Sequence, residues 1–328
     1  MKRLLQWAGA VALGIAAAAG ATTSARAQSF PSKPVRIVVP YPPGGVDVSI
    51  RIMQKAMSDE LGQPVVVENR PGANTAIGSQ LVARSAPDGY TLLGTSTALV
   101  TGAAIGSVPL DPVKDFVPLA LVYTSMGVLA AHPSTPYSNL KELVEYARKN
   151  PGKVNYATIG VGSEQHLSGE MLKLGGAFDM NHIVYKGFGP MLQAMVADEV
   201  PLILITYQGV KPFLTSGRAK AIAVYSLKRR HPEIPAVADF TEIVPSFATT
   251  RSWVGLLAPA SLPRPLAARL SAAAVKSINA SGVRDKMEEM GFIVMAGGAE
   301  EFAEWIRADF DTAVKLVRDV KAAGVKFE

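Results

Sequence analysis

Pro34-Val35-Arg36-Ile37-Val38-Val39-Pro40-Tyr41-Pro42-Pro43-Gly44-Gly45 is the stretch from which the fold is read. A short β-branched run ends in prolines that fix the backbone and glycines that permit a tight exit. A segment with Ile50, Met53, Met57 and Leu61 on one helical face follows, Asp47 placed to cap it and Gly62 to end it. The strand–turn–helix unit recurs. Strands are expected at 35–39, 65–68, 91–94, 117–130, 154–157, 182–184, 202–205, 221–225, 254–258 and 292–295, with helices between most of them. Ser138 and Ser163 are placed to cap helices through Leu140 to Ala147 and Leu167 to Leu174, and the last eighty residues return to helices at 265–280, 283–290 and 300–323. Alternation of this kind predicts sheets covered by helices, an α/β fold.

Strand and helix patterns both lapse at 131–133 and at 232–245. Two crossings imply a discontinuous first lobe, 29–131 plus 250–328, and a second lobe, 132–249. Two α/β lobes joined by two crossing strands enclose a cleft, where small ligands bind. Composition agrees. The 328 residues are 48% hydrophobic, which excludes a disordered chain, and the absence of cysteine excludes disulfides, thiol nucleophiles and iron–sulfur ligation. The formal charge of +6 includes Lys2, Arg3 and Arg26, and without them 30 basic residues face 27 acidic ones. That surplus is no footprint for nucleic acid. Met1-Lys2-Arg3, the apolar stretch from Leu4 to Ala21 and Ala25-Arg26-Ala27 have the order of an export signal over residues 1–27, cleaved after Ala27 to leave a soluble periplasmic protein beginning at Gln28.

Four clusters follow strands directly, where α/β sheets bind ligands: the loop from Pro40 to Gly45, Gly94-Thr95-Ser96-Thr97, Gly160-Val161-Gly162-Ser163 with His166 one turn on, and Tyr185-Lys186-Gly187-Phe188-Gly189-Pro190. Backbone N–H groups at helix N-termini, with Ser and Thr hydroxyls, make a neutral anion site. A Ser163–His166 nucleophile would define a hydrolase instead, but no orienting carboxylate is evident. His132, His182 and His231 are scattered and suggest no metal site, and no cofactor is expected.

The opening run, together with Glu68-Asn69-Arg70-Pro71-Gly72-Ala73, Ala86-Pro87-Asp88-Gly89-Tyr90-Thr91-Leu92-Leu93, Asp111-Pro112-Val113-Lys114-Asp115-Phe116, Asn150-Pro151-Gly152-Lys153, Tyr185-Lys186-Gly187 and Ser252-Trp253 before Gly255-Leu256-Leu257-Ala258-Pro259, resembles the Bug family, the solute receptors of tripartite tricarboxylate transporters. The resemblance implies a type II periplasmic binding protein fold that closes over a small organic carboxylate and hands it to membrane permease subunits, without enzymatic activity. A sensing partner of a signalling membrane protein would use the same fold. A monomer is expected. Carried over by position, the ligand-binding residues are Tyr41, Pro43, Gly44, Gly45, Thr95, Ser96 and Thr97 from the first lobe, and Gly160, Gly162, Ser163, His166 and Gly187 from the second. Asn74 and Thr75 join them where members often carry Gly-Gly-Asn. Ile205 stands where an aspartate is common, and Phe188 where a small polar residue is common. If Ile205, Met191, Phe188 and Tyr207 face the cleft, the ligand should have a hydrophobic or aromatic body; the alternative is that Ile205 and Met191 pack into the lobe core.

Overall fold

A computed structural model describes residues 30–327; the expected export signal lies outside them. The first sheet holds β1 (Val35–Val39), β2 (Val65–Asn69), β3 (Thr91–Ser96), β4 (Phe116–Ser125), β10 (Ser252–Pro259) and β11 (Ile293–Gly297) in the order β11-β4-β10-β3-β1-β2. β1 runs parallel to β2 and β3, while β10 lies antiparallel between β3 and β4. Val35, Ile37, Val38 and Val39 are fully buried, as a near-continuous apolar run requires of a strand with helices on both faces. The second sheet is β7-β6-β8-β5-β9, from β5 (Gly127–Ala131), β6 (Asn155–Thr158), β7 (Asn181–Val184), β8 (Leu202–Thr206) and β9 (Lys220–Tyr225). The protein therefore has the two-lobed α/β architecture that the sequence implied.

The helices that position the site leave the carboxyl ends of strands. α1 (Val46–Leu61) follows β1, α2 (Ala76–Ala83) follows β2, and α3 (Ala98–Ile105) follows β3. α4 (Leu140–Lys149) covers the second sheet, α5 (Glu164–Gly176) follows β6, α6 (Phe188–Val196) follows β7, and α7 (Tyr207–Thr215) follows β8. The short α8 (Phe240–Ile243) lies in the second crossing, and α9 (Arg264–Asn279), α10 (Ser281–Glu289) and α11 (Ala299–Ala322) return to the first lobe. α1 buries Ile50, Met53, Met57 and Leu61, and Gly62 ends it.

Three local expectations are corrected. Asp47 does not cap α1: Gly45 holds the cap position, and the Asp47 carboxylate accepts from Arg51 Nε and Asn69 Nδ2, both at 2.9 Å. α4 is capped by Asn139, whose side chain accepts from the Glu142 N–H at 3.0 Å, while the Glu142 carboxylate reaches back to the N–H of Ser138. The run 117–130 is two strands in two sheets, so the first crossing falls at Met126, ahead of the expected 131–133. The sequence hides the break because both strands are buried from Leu119 to Ala131, and composition does not change where the chain leaves one sheet for the other. The Tyr225 ring lies where a Cβ on Gly127 would stand, which makes glycine necessary at the start of β5.

β5 and β8 alternate strictly between two cores. Leu129, Ala131, Leu202 and Leu204 face one with Tyr156, Tyr225 and Phe240. Val128, Ala130, Ile203 and Ile205 face the other with Met191, Met195 and Tyr207. Ile205 and Met191 are fully buried there, so of the two alternatives the lobe core holds them: the two-residue period of β8 points Ile205 at α6 and α7.

Candidate functional site

In the first lobe the Tyr41 hydroxyl shares a 2.7 Å hydrogen bond with Ser96 Oγ, lies 3.4 Å from Thr95 Oγ1, and accepts from the Ser96 N–H at 3.3 Å. Asn69 Nδ2 donates to the Tyr41 carbonyl at 3.0 Å and fixes the loop from below. Burial pushes the Tyr41 hydroxyl up from its ordinary value against the hydrogen bonds of Ser96 and Thr95, which keeps the cluster neutral. Pro43 and Gly45 are exposed and Gly44 half-buried, at the entry to α1. Ser96 Oγ also accepts from the N–H of Ala98, at the start of α3.

Two predicted positions serve the scaffold. Thr97 Oγ1 donates to the Arg251 carbonyl at 2.7 Å and accepts from the Trp253 N–H at 2.9 Å, stitching β3 to β10 with its hydroxyl fully engaged. Asn74 donates to Ser107 Oγ at 2.9 Å. Thr75 is buried at φ 76°, and its hydroxyl oxygen has no hydrogen-bond partner among the described residues.

In the second lobe Ser163 caps α5, donating to the Gly160 carbonyl at 2.8 Å and accepting from the His166 N–H at 3.2 Å. The Gly162 N–H donates to His166 Nδ1 at 3.0 Å, which places the ring proton on Nε2, 4.0 Å from Glu170 Oε1. His166 and His182 stack at 4.1 Å, and burial, aided for His182 by the neighbouring His166, pushes both imidazoles down to about 4. Neither the Ser163 hydroxyl nor Nδ1 of His166 is free for nucleophilic work, so the hydrolase geometry is not formed. Gly187, at φ 107°, precedes α6, and Phe188 packs half-buried on the core that holds Ile205. The Tyr207 ring lies 3.8 Å from His231, and burial raises its hydroxyl to about 12. Among the described residues no three His, Cys, Asp or Glu side chains form a metal site.

The structure also brings forward residues that motif reading missed. Ile105, at the end of α3, reaches the second lobe, and its Cδ1 occupies the place a Cβ on Gly162 would take. Gln208 Nε2 donates to Ser125 Oγ beside the first crossing. Phe327 meets the His166 ring edge-on at 5.7 Å. Ile105 carries no chemical signal, and only its place before Gly106 at a helix end could have marked it.

Two α/β lobes with neutral hydrogen-bonding groups gathered at strand ends define a solute-binding protein of the periplasmic type. The profile of the "Tripartite tricarboxylate transporter family receptor" matches residues 49–321, and the chain belongs to that family. The UPF0065 protein in the tcbD-tcbE intergenic region of Pseudomonas sp. strain P51 is 35% identical over 309 residues, covering 93% of this chain and 91% of that protein. Protein BugT of Bordetella pertussis is 32% identical over 318 residues, covering 92% and 95%. Among solved structures, periplasmic binding protein BugD shares 30% identity at a TM-score of 0.76, over 90% of this chain and 99% of its own. MatC from Rhodopseudomonas palustris with bound malate shares 29% at 0.78, over 88% and 100%, and an R. palustris protein with adipate shares 26% at 0.78, over 89% and 98%. These relatives are solute-binding receptors, and the chain is a receptor rather than an enzyme. No helix among the described residues is long and apolar enough to cross a membrane.

Proposed function

We propose that the chain is an extracytoplasmic receptor that captures a small aliphatic dicarboxylate between its lobes and delivers it to the permease of a tripartite tricarboxylate transporter. The observation that carries this reading is the neutral hydroxyl cluster of Tyr41, Thr95 and Ser96 at the carboxyl ends of β1 and β3, in a lobe whose Ile105 touches the Gly160–Ser163 loop of the other. Tyr41, Pro43, Gly44, Gly45 and Ser96 hold one end of the ligand, and the backbone of Gly160 and Gly187 the other, with Ser163 bracing the Gly160 loop. Thr97, Gly162 and His166 support these loops from behind. Donors without a formal charge hold a carboxylate firmly enough to close the lobes and weakly enough to release it.

The lobes are residues 33–126 with 250–327, and 127–249. Export through the N-terminal signal, with cleavage after Ala27, places the receptor in the periplasm. Malate and adipate in the related structures agree with the dicarboxylate class. Ile205 and Met191 belong to the core, which leaves Phe188 as the apolar contribution and removes the grounds for an aromatic ligand.

The test is a thermal-shift screen of malate, adipate, citrate and benzoate followed by calorimetry. Saturable binding of malate or adipate without turnover is expected, with stabilisation of about 2.7 kcal/mol at a hundred times the dissociation constant. Tyr41→Phe should weaken binding about fivefold, the worth of one hydrogen bond. A protein that binds no dicarboxylate, or binds as well without the Tyr41 hydroxyl, does not use this site.

A further inference from the structure

The segment from Gly160 to His166 belongs to the second lobe, yet it is touched at two points by the first. At one, Ile105 of α3 lies against the backbone of Gly162, close enough that a Cβ there would collide with Cδ1. At the other, the chain leaves α11 and brings Phe327 edge-on to the His166 ring at 5.7 Å and 80°. Lys321 Nζ, 5.9 Å from the centre of the Phe327 ring, helps seat it from the last turn of α11.

The two contacts are joined inside the segment. The Gly162 N–H donates to His166 Nδ1 at 3.0 Å, so the backbone under Ile105 and the ring under Phe327 form one unit. His182 stacks on that ring at 4.1 Å and 18°, and its Nε2 lies 2.6 Å from Thr158 Oγ1, which braces the His166 ring from within the second lobe. Both outside contacts come from apolar side chains of the first lobe and are made over backbone and a neutral ring. They therefore act on the arrangement of the lobes.

We propose that Ile105 and Phe327 are positioning residues of the first lobe that bear on the Gly160–His166 segment, one at Gly162 and one at His166, and so favour the closed arrangement of the lobes. The inference rests on the receptor reading above and deepens it: the grip raises the affinity for every acid the cleft accepts without choosing among them. Ligand contacts select, whereas a closure contact shifts the fraction of binding-competent molecules and scales all affinities alike.

The experiment compares the full chain with Ile105→Ala, Ile105→Val, Phe327→Ala and the Ile105→Ala/Phe327→Ala pair. Small-angle scattering of each unliganded protein is read beside calorimetry with malate and with adipate. A larger radius of gyration is expected for the alanine variants, with malate and adipate affinities falling by the same factor, about fivefold for one residue and more for the pair. Ile105→Val, which loses Cδ1 but keeps both γ-carbons, should fall between the parent and Ile105→Ala, a graded response that separates loss of grip from misfolding. An unchanged radius overturns the proposal, as does a change in the malate-to-adipate ratio, which would make Ile105 a wall of the ligand pocket. Should neither acid bind, the dicarboxylate reading fails, and the scattering still decides the grip.

Discussion

Gly162 meets two separate demands at one position. Its φ of 74° lies in the left-handed region, and its α-carbon face is covered by Ile105. An alanine there pays about 1 kcal/mol for the backbone conformation and a further 1–3 kcal/mol for forcing a methyl into a packed side chain. In the Ile105→Ala background the second cost disappears. Urea unfolding of the two single variants and the double should therefore show strong coupling, with Gly162→Ala costing about 1 kcal/mol once the isoleucine is gone. Additive costs would mean that Ile105 does not rest on Gly162. The glycine stands out in the sequence from its place after β6, but its partner does not, because the contact joins residues from different lobes and leaves no local pattern.

At the scale of elements, local signals did their work where a segment's own period and punctuation decide its state. β1 appears at 35–39 as read, α1 buries the expected stripe, and Ser163 caps α5. The readings that failed were those in which tertiary contacts outvote the local pattern, as at Asp47, drawn to Arg51 and Asn69, and at Met126, where two buried strands meet. The turn before α2 shows a cost that sequence could only hint at. Ala73, Asn74 and Thr75 have φ values of 46°, 49° and 76°, three non-glycine residues in succession in the left-handed region. Thr75 is the most strained, because its branched Cβ suits that region worst and its buried hydroxyl lacks a partner. Thr75→Gly removes about 1–3 kcal/mol of strain and gives back roughly 1 kcal/mol through the freer unfolded chain and the lost methyl contact. A net gain of about 1 kcal/mol in chemical unfolding is expected, and a loss would show that the threonine side chain contributes more than its strain costs. At the other end of the scale, Asn139→Ala should cost about 1 kcal/mol by removing the α4 cap.

For the whole molecule, two sets of buried groups pull the pH dependence of stability in opposite directions. Burial pushes His166 and His182 from an ordinary 6.5 down to about 4, and lowers His231 as well. Between 4 and 6.5 the unfolded chain binds protons that these rings refuse, so stability rises with pH across that window. Glu164 behaves oppositely. It sits at the start of α5, accepting from Ser168 Oγ at 3.2 Å and Ser226 Oγ at 3.4 Å, and burial, with Asp309 of α11 adding repulsion, lifts its carboxyl from 4.5 to about 7. The folded state keeps that proton after the unfolded chain has lost it, so this contribution is full below 4.5 and disappears as pH rises through 7. Asp309 is raised too, burial outweighing its pairing with Arg251 at 3.1 Å, and works in the same direction. Below 6.5 the histidines outnumber the acids and the net slope is about one proton, about 1.4 kcal/mol per pH unit. Above 6.5 the rest of the His166 and His182 titration adds about 0.8 kcal/mol and offsets a similar loss from Glu164, so stability levels off. Chemical unfolding from pH 4.5 to 8.5 should therefore trace a rise that flattens near 6.5. Glu164→Gln should steepen the acid limb to about two protons and let stability keep rising by about 1 kcal/mol above 6.5, and His182→Asn should make the acid limb shallower. A parent protein whose stability climbs by about a further 1 kcal/mol between pH 6.5 and 8.5 would mean that Glu164 is ionised in the folded protein, and would place a cation or water beside it that offsets its burial.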